Sequence, residues 1–451
     1  MVLGGADLAQ LLLALGLLVV VAHVVGHLFV VLRQPRVIGE IVGGLLLGPT
    51  VLGALEPGWH DALLPDTGPT AAVLGWSYQL GLILLMFCSG AELRASLRPG
   101  EGRLVGIVTV LGVTVPFAAG LAVFWTVDPS GLEGTAGNRT ALTLVFGLAI
   151  AVTSIPVISR IMVDLDIIHT SFARVVLGIA VLEDVVVYVV LALALGLVET
   201  PGQQTFGIPA LLSLTSGSSA ELTFHVVATL TFLTVMLLVA PRLFARLRGA
   251  RWNVLATSSP IAFHIVFLFT VTLAALALGI TAIFGAFLAG IAASSQDDPG
   301  ARQVRESVKG FAFAYFVPVY FAIVGVQLDL VHAFDPLFFG WFLVFACGVK
   351  TASAYLGARL AGEPATGARN LALATNARGG PGIVLASVAW GAGIVSESFY
   401  TSLVLLAIVT SMVTGSWLGH VVSSGAELRA EPPPPIDVHP AAPFVGVPHD
   451  H

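Results

Sequence analysis

Four ionisable side chains sit in stretches that are otherwise apolar. Glu183 and Asp184 lie side by side in LGIAVLEDVVVYVVLALAL, Lys350 in LVFACGVKTASAYLGARL and Arg378 in ALATNARGGPGIV. A charge in hydrocarbon is costly, so one kept near the middle of an apolar run points to function. Adjacent residues on a helix point about 100° apart. One acid can therefore pair with a neighbouring helix while the other faces a cavity. Two acids and one lysine at matching depth leave one carboxylate free. A free, dehydrated carboxylate is a site for a proton or a small cation, and the two compete for the same oxygen atoms.

Lys350 is one of only two lysines beside eighteen arginines. A desolvated lysine can lose its proton, whereas an arginine effectively cannot. Lys350 reads either as a titrating group or as a fixed partner of Glu183 or a helix carbonyl. Arg378 reads either as part of the site or as a donor to the free carbonyls of a broken helix. Two runs carry helix-breaking polar sequences. Thr153, Ser154 and Pro156 interrupt one; Thr375, Asn376, Gly379, Gly380, Pro381 and Gly382 interrupt the other. Proline removes a backbone donor and glycine loosens a helix. Unwound backbone at membrane depth is tolerated only against protein or a water-filled cavity.

The elements that must position these groups are membrane helices. Of the 451 residues 57% are hydrophobic and 10% charged, and mean hydropathy is +0.95. A soluble chain carries about 25% charged residues, so a water-soluble enzyme is excluded. A span needs roughly 20 apolar residues. Such runs fall at 8–32, 37–55, 71–92, 103–126, 140–163, 172–198, 222–245, 258–277, 279–295, 311–330, 337–359, 367–391 and 396–421. The shortest is the ninth, with a join near Gly279. The first has no basic leader and is too long for a signal peptide, so it reads as a retained helix. The expected fold is thus an all-α membrane protein of about 13 transmembrane helices.

Seventeen of the 20 basic residues fall in one set of alternate loops, from Arg33, Arg36, Arg94 and Arg98 to Arg429, and only Arg139 falls in the other. The positive-inside rule then puts the N-terminus outside and the C-terminus in the cytoplasm. The fifth and twelfth runs hold the breaks. Each is the fifth member of a six-span set, 8–198 and 258–421, with 222–245 as a linker helix. Broken helices at matching places in two inverted halves point to a secondary transporter site. The stretch 298–312 reads as a short amphipathic helix at the inner surface or as a charged loop. Residues 422–451, with Pro432 to Pro435, read as a disordered cytoplasmic tail.

Other features stay in the background. Net charge is −6 without a basic block, which argues against nucleic acid as a partner. Cys88 and Cys347 offer no disulfide framework. His23 and His27 share a helix face and read as packing. Glu40 reads as an acid at a helix start, where the dipole favours it. Gly43-Gly44 and Gly48-Pro49 read as close helix packing. No GxSxG, HExxH or phosphate-loop pattern is present, and no cofactor is expected.

With these residues in place, the chain resembles the monovalent cation:proton antiporters of the Kef and plant CHX type. The resemblance covers nearly all of 8–421. It rests on RQPRVIGEIVGGLLLGPTVLG, the acid pair, Lys350 and the NARGG stretch, in that order and spacing. It implies two crossed, discontinuous helices. It also implies a core part, 103–198 and 337–421, moving against a dimerisation part, 8–92 and 258–330, in a homodimer. By the resemblance, Asp184 is the cation- and proton-binding aspartate, with a monovalent cation as the only metal. Glu183 stands at the preceding position, usually Asp in electrogenic members, and Lys350 pairs with it. Thr153 and Asn376 are the polar residues at the crossing, with Ser154 and Arg378 as support. No nucleotide-binding regulatory domain is expected after the membrane part, an expectation that argues against a ligand-gated Kef system.

The expected function is exchange of Na⁺ or K⁺ for protons across the plasma membrane by alternating access. Two alternatives keep the same residues: a carrier of this fold exporting an organic ion or natural product, and a channel-like potassium efflux protein. An intramembrane enzyme fits poorly, because two adjacent acids on one helix do not make a facing aspartyl dyad.

Overall fold

The computed structural model describes residues 4–32, 34–65, 67–92, 101–126, 129–198, 208, 219–295 and 298–429. These residues are helical almost throughout. The helices are α1 (Gly5–Val31), α2 (Arg36–Leu47), α3 (Pro57–Leu63), α4 (Gly68–Ala91), α5 (Glu101–Phe124), α6 (Arg139–Ala151), α7 (Ile155–Asp164) and α8 (Ser171–Gly196). They continue as α9 (Ser219–Leu238), α10 (Ala240–Gly249), α11 (Val254–Ser258), α12 (Pro260–Ala277), α13 (Ala282–Ala293) and α14 (Pro299–Phe311). The last five are α15 (Val317–Val326), α16 (Pro336–Leu360), α17 (Ala365–Ala374), α18 (Gly379–Gly391) and α19 (Glu397–Ser423).

Among the described residues, nine helices are long and apolar enough to cross a membrane, or ten if the bent pair Val227–Leu238 and Ala240–Gly249 is one span. The chain is a multi-pass membrane protein. The bend in that pair is 46°, where Pro241 opens the second helix and withholds its backbone donor. Leu12, Leu13, Val24, Leu337 and Val344 are exposed, as lipid-facing side chains are.

Close backbone approach sets the packing in two places. A Cβ on Gly44 would lie 1.8 Å from the Ala322 carbonyl oxygen, and one on Gly325 would lie 2.0 Å from that of Ile41. That is the α2–α15 crossing. The α4–α13 crossing repeats it: a Cβ on Gly90 would lie 2.0 Å from the Phe287 oxygen, and one on Gly290 2.1 Å from that of Phe87. Only glycine lets the main chains come this near. A Cβ on Gly48 would likewise meet Val326.

Three boundaries differ from expectation. The inner-surface helix at 298–312 is not a separate piece. It runs through a single wide turn, Ala312–Phe316, into α15, so Pro299–Val326 is one continuous helical stretch. Its Asp298 N-cap accepts from Ala301 N at 2.9 Å. The Arg248 guanidinium, with that N–H, holds the Asp298 carboxyl well below the usual carboxylate range. The ninth run has only 12 residues of helix, Ala282–Ala293, because Gly279 turns the chain at φ +75° before the Thr281 cap. The short helix α3 was not foreseen at all.

The start of the expected tail is held in place. Arg429 Nε lies 3.1 and 3.0 Å from the carboxylate oxygens of buried Glu363, and Asn370 donates to the Leu428 carbonyl at 3.0 Å. The rest of the tail, 430–451, lies outside the described residues, as do Arg33, Arg94 and Arg98.

Candidate functional site: a crossing of two broken helices

Both polar interruptions are breaks. One run is split into α6 and α7, separated by Val152, Thr153 and Ser154; the other into α17 and α18, separated by residues 375–378. Each break leaves the last carbonyls of one half-helix and the first N–H groups of the next without intrahelical partners. The two breaks meet and satisfy one another. Thr153 Oγ1 donates to the Thr375 carbonyl at 2.5 Å, and Ser154 N to that of Ala377 at 2.6 Å. Ser154 Oγ accepts from Gly380 N at 3.1 Å and from Val157 N at 3.4 Å, so one hydroxyl caps both α7 and α18. Ser411 Oγ on α19 accepts from Gly379 N at 3.2 Å.

The end of α6 is finished by two cations. Arg378 donates from Nε to the Ala149 carbonyl at 3.1 Å and from NH2 to those of Ile150 at 3.0 Å and Ala346 at 2.9 Å. Its NH1 donates to Asn376 Oδ1 at 3.0 Å. Lys350 takes the Ala151 carbonyl at 2.5 Å. Positive charge at a helix C-terminus also suits the dipole. At the end of α17 hydroxyls do most of this work: those of Thr153, Thr375 and Thr414 take the Thr375, Ala372 and Leu373 carbonyls, and Arg378 reaches only that of Asn376, at 3.4 Å. The two crossed half-helices are therefore capped differently.

Lys350 also pairs with Glu183. Nζ lies 2.8 and 2.9 Å from the two carboxylate oxygens and donates to the Gly112 carbonyl at 2.9 Å. Both side chains are wholly buried. An ammonium has three donors, and here they meet three acceptor groups: a carboxylate and two carbonyls. Gly112 on α5 makes room, since a Cβ there would lie 2.9 Å from Glu183 Oε1.

Asp184, the next residue, is different. It is equally buried, yet neither of its carboxylate oxygens has a hydrogen-bond partner among the described residues. The structure therefore brings Glu183, Lys350, Thr153, Ser154, Asn376 and Arg378 into one hydrogen-bonded crossing, and leaves Asp184 beside it unengaged. Asn376 is committed on both ends of its amide, through Oδ1 to Arg378 and through Nδ2 to Thr351 Oγ1 at 2.5 Å. Sequence reading missed Gly112, Thr351, Thr414 and Ser411. The one available signal was the Ser/Thr series of α19, TSMVTG, which reads as ordinary polar content in a membrane helix.

Elsewhere two of the background residues make contacts within their own helices. His23 Nδ1 lies 3.0 Å from the Val19 carbonyl oxygen on its own helix. Arg36 Nε lies 3.2 Å from Glu40 Oε1. No group of three or more His, Cys, Asp or Glu that could hold a metal ion occurs among the described residues.

Comparison with known proteins gives a consistent assignment. The family model for the sodium/hydrogen exchanger, transmembrane, matches residues 16–424. The cation/H(+) antiporter 20 of Arabidopsis thaliana is 27% identical over 412 residues, covering 90% of this chain and 47% of that protein. The Na(+)/H(+) antiporter NhaS4 of Synechocystis is 26% identical, covering 90% of this chain and 95% of that protein. The chain thus spans about half the length of the plant relatives, which are 47–49% covered. The solved structure of the sodium proton antiporter MjNhaP1 from Methanocaldococcus jannaschii has the same fold, with a TM-score of 0.61 at 14% identity over 92% of this chain and 99% of that one. A family model covering most of the chain settles the membership: this protein belongs to the transmembrane sodium/hydrogen exchanger family.

Proposed function

We propose that the protein exchanges a monovalent cation, Na⁺ or K⁺, for protons across the plasma membrane by alternating access. The observation that carries this reading is the contrast within the acid pair. Glu183 is consumed by Lys350, while Asp184 is buried beside the crossing with both oxygens unpartnered among the described residues. Facing out, Asp184 takes a proton; facing in, it releases the proton and takes a cation. Both loaded forms hide the charge better than the bare anion does, so these are the forms that cross. Thr153 and Asn376 already hold the crossing, and each offers the ion only the lone pairs left on its side-chain oxygen. The relatives' names support the chemistry, since they include Na(+)/H(+) and K(+)/H(+) antiporters.

The architecture we assign is thirteen spans in two inverted sets of six. The count is reached by taking α6–α7, α17–α18 and α9–α10 each as one span and α13 as a short one. The glycine crossings support inverted repeats. Superposing the two sets exchanges α2 with α13 and α15 with α4, which turns the α2–α15 crossing into the α13–α4 crossing. Both crossings have reciprocal glycines. The moving core is 103–198 and 337–421. The dimerisation part is 8–92 and 258–330, and two copies pair through it. The bias of basic loops supports a cytoplasmic C-terminus.

The test is purified protein in vesicles with an imposed ΔpH, followed by a pH-sensitive dye. Addition of Na⁺ or K⁺ dissipates ΔpH in the exchange reading. No dissipation with either, or with Li⁺, removes it.

A further inference from the structure

Asp184 and Tyr188 stand four residues apart on α8 and therefore share a face of that helix. Aromatic side chains on a helix lean toward its N-terminus, so the Tyr188 ring leans back over the turn that carries Asp184. Both side chains are buried, at 0% and 1% exposure. Neither Asp184 oxygen has a hydrogen-bond partner among the described residues, and neither does the Tyr188 hydroxyl. Buried tyrosine hydroxyls usually find a partner. Tyr400, for comparison, donates to the Val324 carbonyl at 3.2 Å. Tyr320 shares the lack of a partner, but its helix, VPVYFAIVGV, carries no acid.

The Tyr188 ring is buried. It packs on Phe287 of α13 with ring centroids 4.7 Å apart. The ring thus lies against α13. One face of α8 presents three unpartnered oxygens: two from a carboxylate and one from a phenol. Alkali cations are hard ions that bind through oxygen, and a hydroxyl keeps lone pairs for such a contact.

We infer that Tyr188 is a further ligand of the exchanged cation, its hydroxyl oxygen completing the site that Asp184 begins. The inference rests on the exchange reading of Asp184. Its physical content is that the phenol oxygen contributes to cation affinity and not to the packing of α8. Because Phe287 seats the ring, this ligand is in place only while α8 lies against α13.

Tyr188→Phe removes one oxygen atom and keeps the ring. In the vesicle assay the apparent KM for the transported cation should rise about tenfold, the usual loss when a polar contact to a charge is removed. The maximal rate at saturating cation should stay near that of the wild type. Phe287→Leu keeps the hydroxyl but loosens the ring, and should raise KM less and in the same direction. Purified protein gives a second reading through thermal stabilisation by Na⁺ or K⁺; Tyr188→Phe should need about ten times more cation for the same shift. An unchanged KM in Tyr188→Phe overturns the inference, as does a fall in maximal rate with KM unchanged, which marks a packing role. Should Tyr188→Phe not accumulate, an unchanged KM in Phe287→Leu overturns it instead. A wild type with no cation-dependent signal overturns the exchange reading itself. A wild type that exchanges normally beside an unshifted Tyr188→Phe removes only the assignment of Tyr188.

Discussion

Lys350 Nζ lies 2.8 and 2.9 Å from the two carboxylate oxygens of Glu183, and the same ammonium ends α6 by taking the Ala151 carbonyl. The pair thus joins α16, α8 and the break of the α6–α7 run. Displacing Glu183 would leave a desolvated ammonium with carbonyls only. A lysine in that position can give up its proton, which an arginine cannot.

This relationship bears on charge movement. Asp184 alone, trading one proton for one monovalent cation, moves no net charge. A second proton from Lys350, released when cation binding disturbs its pair with Glu183, would make exchange electrogenic. It would then respond to membrane potential at about 2.3 kcal/mol per charge per 100 mV. Lys350→Arg should keep the pair with Glu183 and remove the titration, leaving slow, voltage-insensitive exchange. Transport current on a supported membrane checks this. A wild type that dissipates ΔpH without current makes Lys350 structural and the exchanger electroneutral.

Asp184→Asn removes the charge and keeps the shape. Since Asp184 has no hydrogen-bond partner to lose among the described residues, the variant should insert and fold as the wild type does. Cation-dependent ΔpH dissipation should vanish. Near-normal exchange by a well-folded Asp184→Asn protein would end the mechanism.

The charged part of the site was legible because apolar runs make any Glu, Asp, Lys or Arg conspicuous. Glu183, Asp184, Lys350 and Arg378 stood out for that reason, and Pro156 and the glycines after Arg378 marked the breaks. What was not legible is carried by groups every residue has. That Lys350 and Arg378 could serve carbonyls was readable, but not that these are the Gly112, Ala149, Ile150 and Ala151 carbonyls, since no side-chain pattern announces a particular carbonyl. Tyr188 was hidden for another reason: in VVVYVV an aromatic reads as core. Helix continuity at Pro299–Val326 was missed because the polar turns of α14 look like a separate surface element; they do carry surface contacts, such as Lys309 to Glu92 at 2.6 Å, but run on into α15.

Arg378 has a stability role that can be measured apart from transport. Its guanidinium serves four main-chain carbonyls, three of them on two helices and the fourth that of Asn376. Leaving a buried acceptor unpaired costs about 1–3 kcal/mol, so Arg378→Gln should lower thermal stability by roughly 3 kcal/mol or more. Arg378→Lys keeps the charge but not the planar fork, and should recover only part of the loss. Melting of the purified variants in detergent decides this. Equal melting of wild type and Arg378→Gln would show that these contacts do not hold the crossing.

The α2–α15 crossing gives a sharper steric test. A Cβ on Gly44 would lie 1.8 Å from the Ala322 oxygen, whereas one on Gly75 would meet nothing within 4 Å. Overpacking a tight interior costs about 1–3 kcal/mol even where side chains can shift, and a main-chain oxygen cannot shift alone. Gly44→Ala should therefore reduce accumulation and melting temperature clearly, while Gly75→Ala leaves both unchanged. Similar melting of the two variants would mean that the helices do not cross this closely.

Orientation can be checked without transport. Seventeen of the 20 basic residues fall in alternate loops on one side, and loops rich in Lys and Arg stay cytoplasmic. Thirteen spans then place Ser130 and Gly202 outside and Gly249 and Ala430 inside; Gly202 and Ala430 lie beyond the described residues. Cysteines introduced singly at these four positions should divide cleanly toward a membrane-impermeant maleimide. Intact cells should label Ser130→Cys and Gly202→Cys, and only broken cells Gly249→Cys and Ala430→Cys. The decisive position is Gly202, because it follows α8, the helix that carries the acid pair. Protection of Gly202→Cys in intact cells, with Ser130→Cys labelled, would mean that α6–α7 and α8 do not each cross once. The inverted pairing of the two breaks would then fail with it.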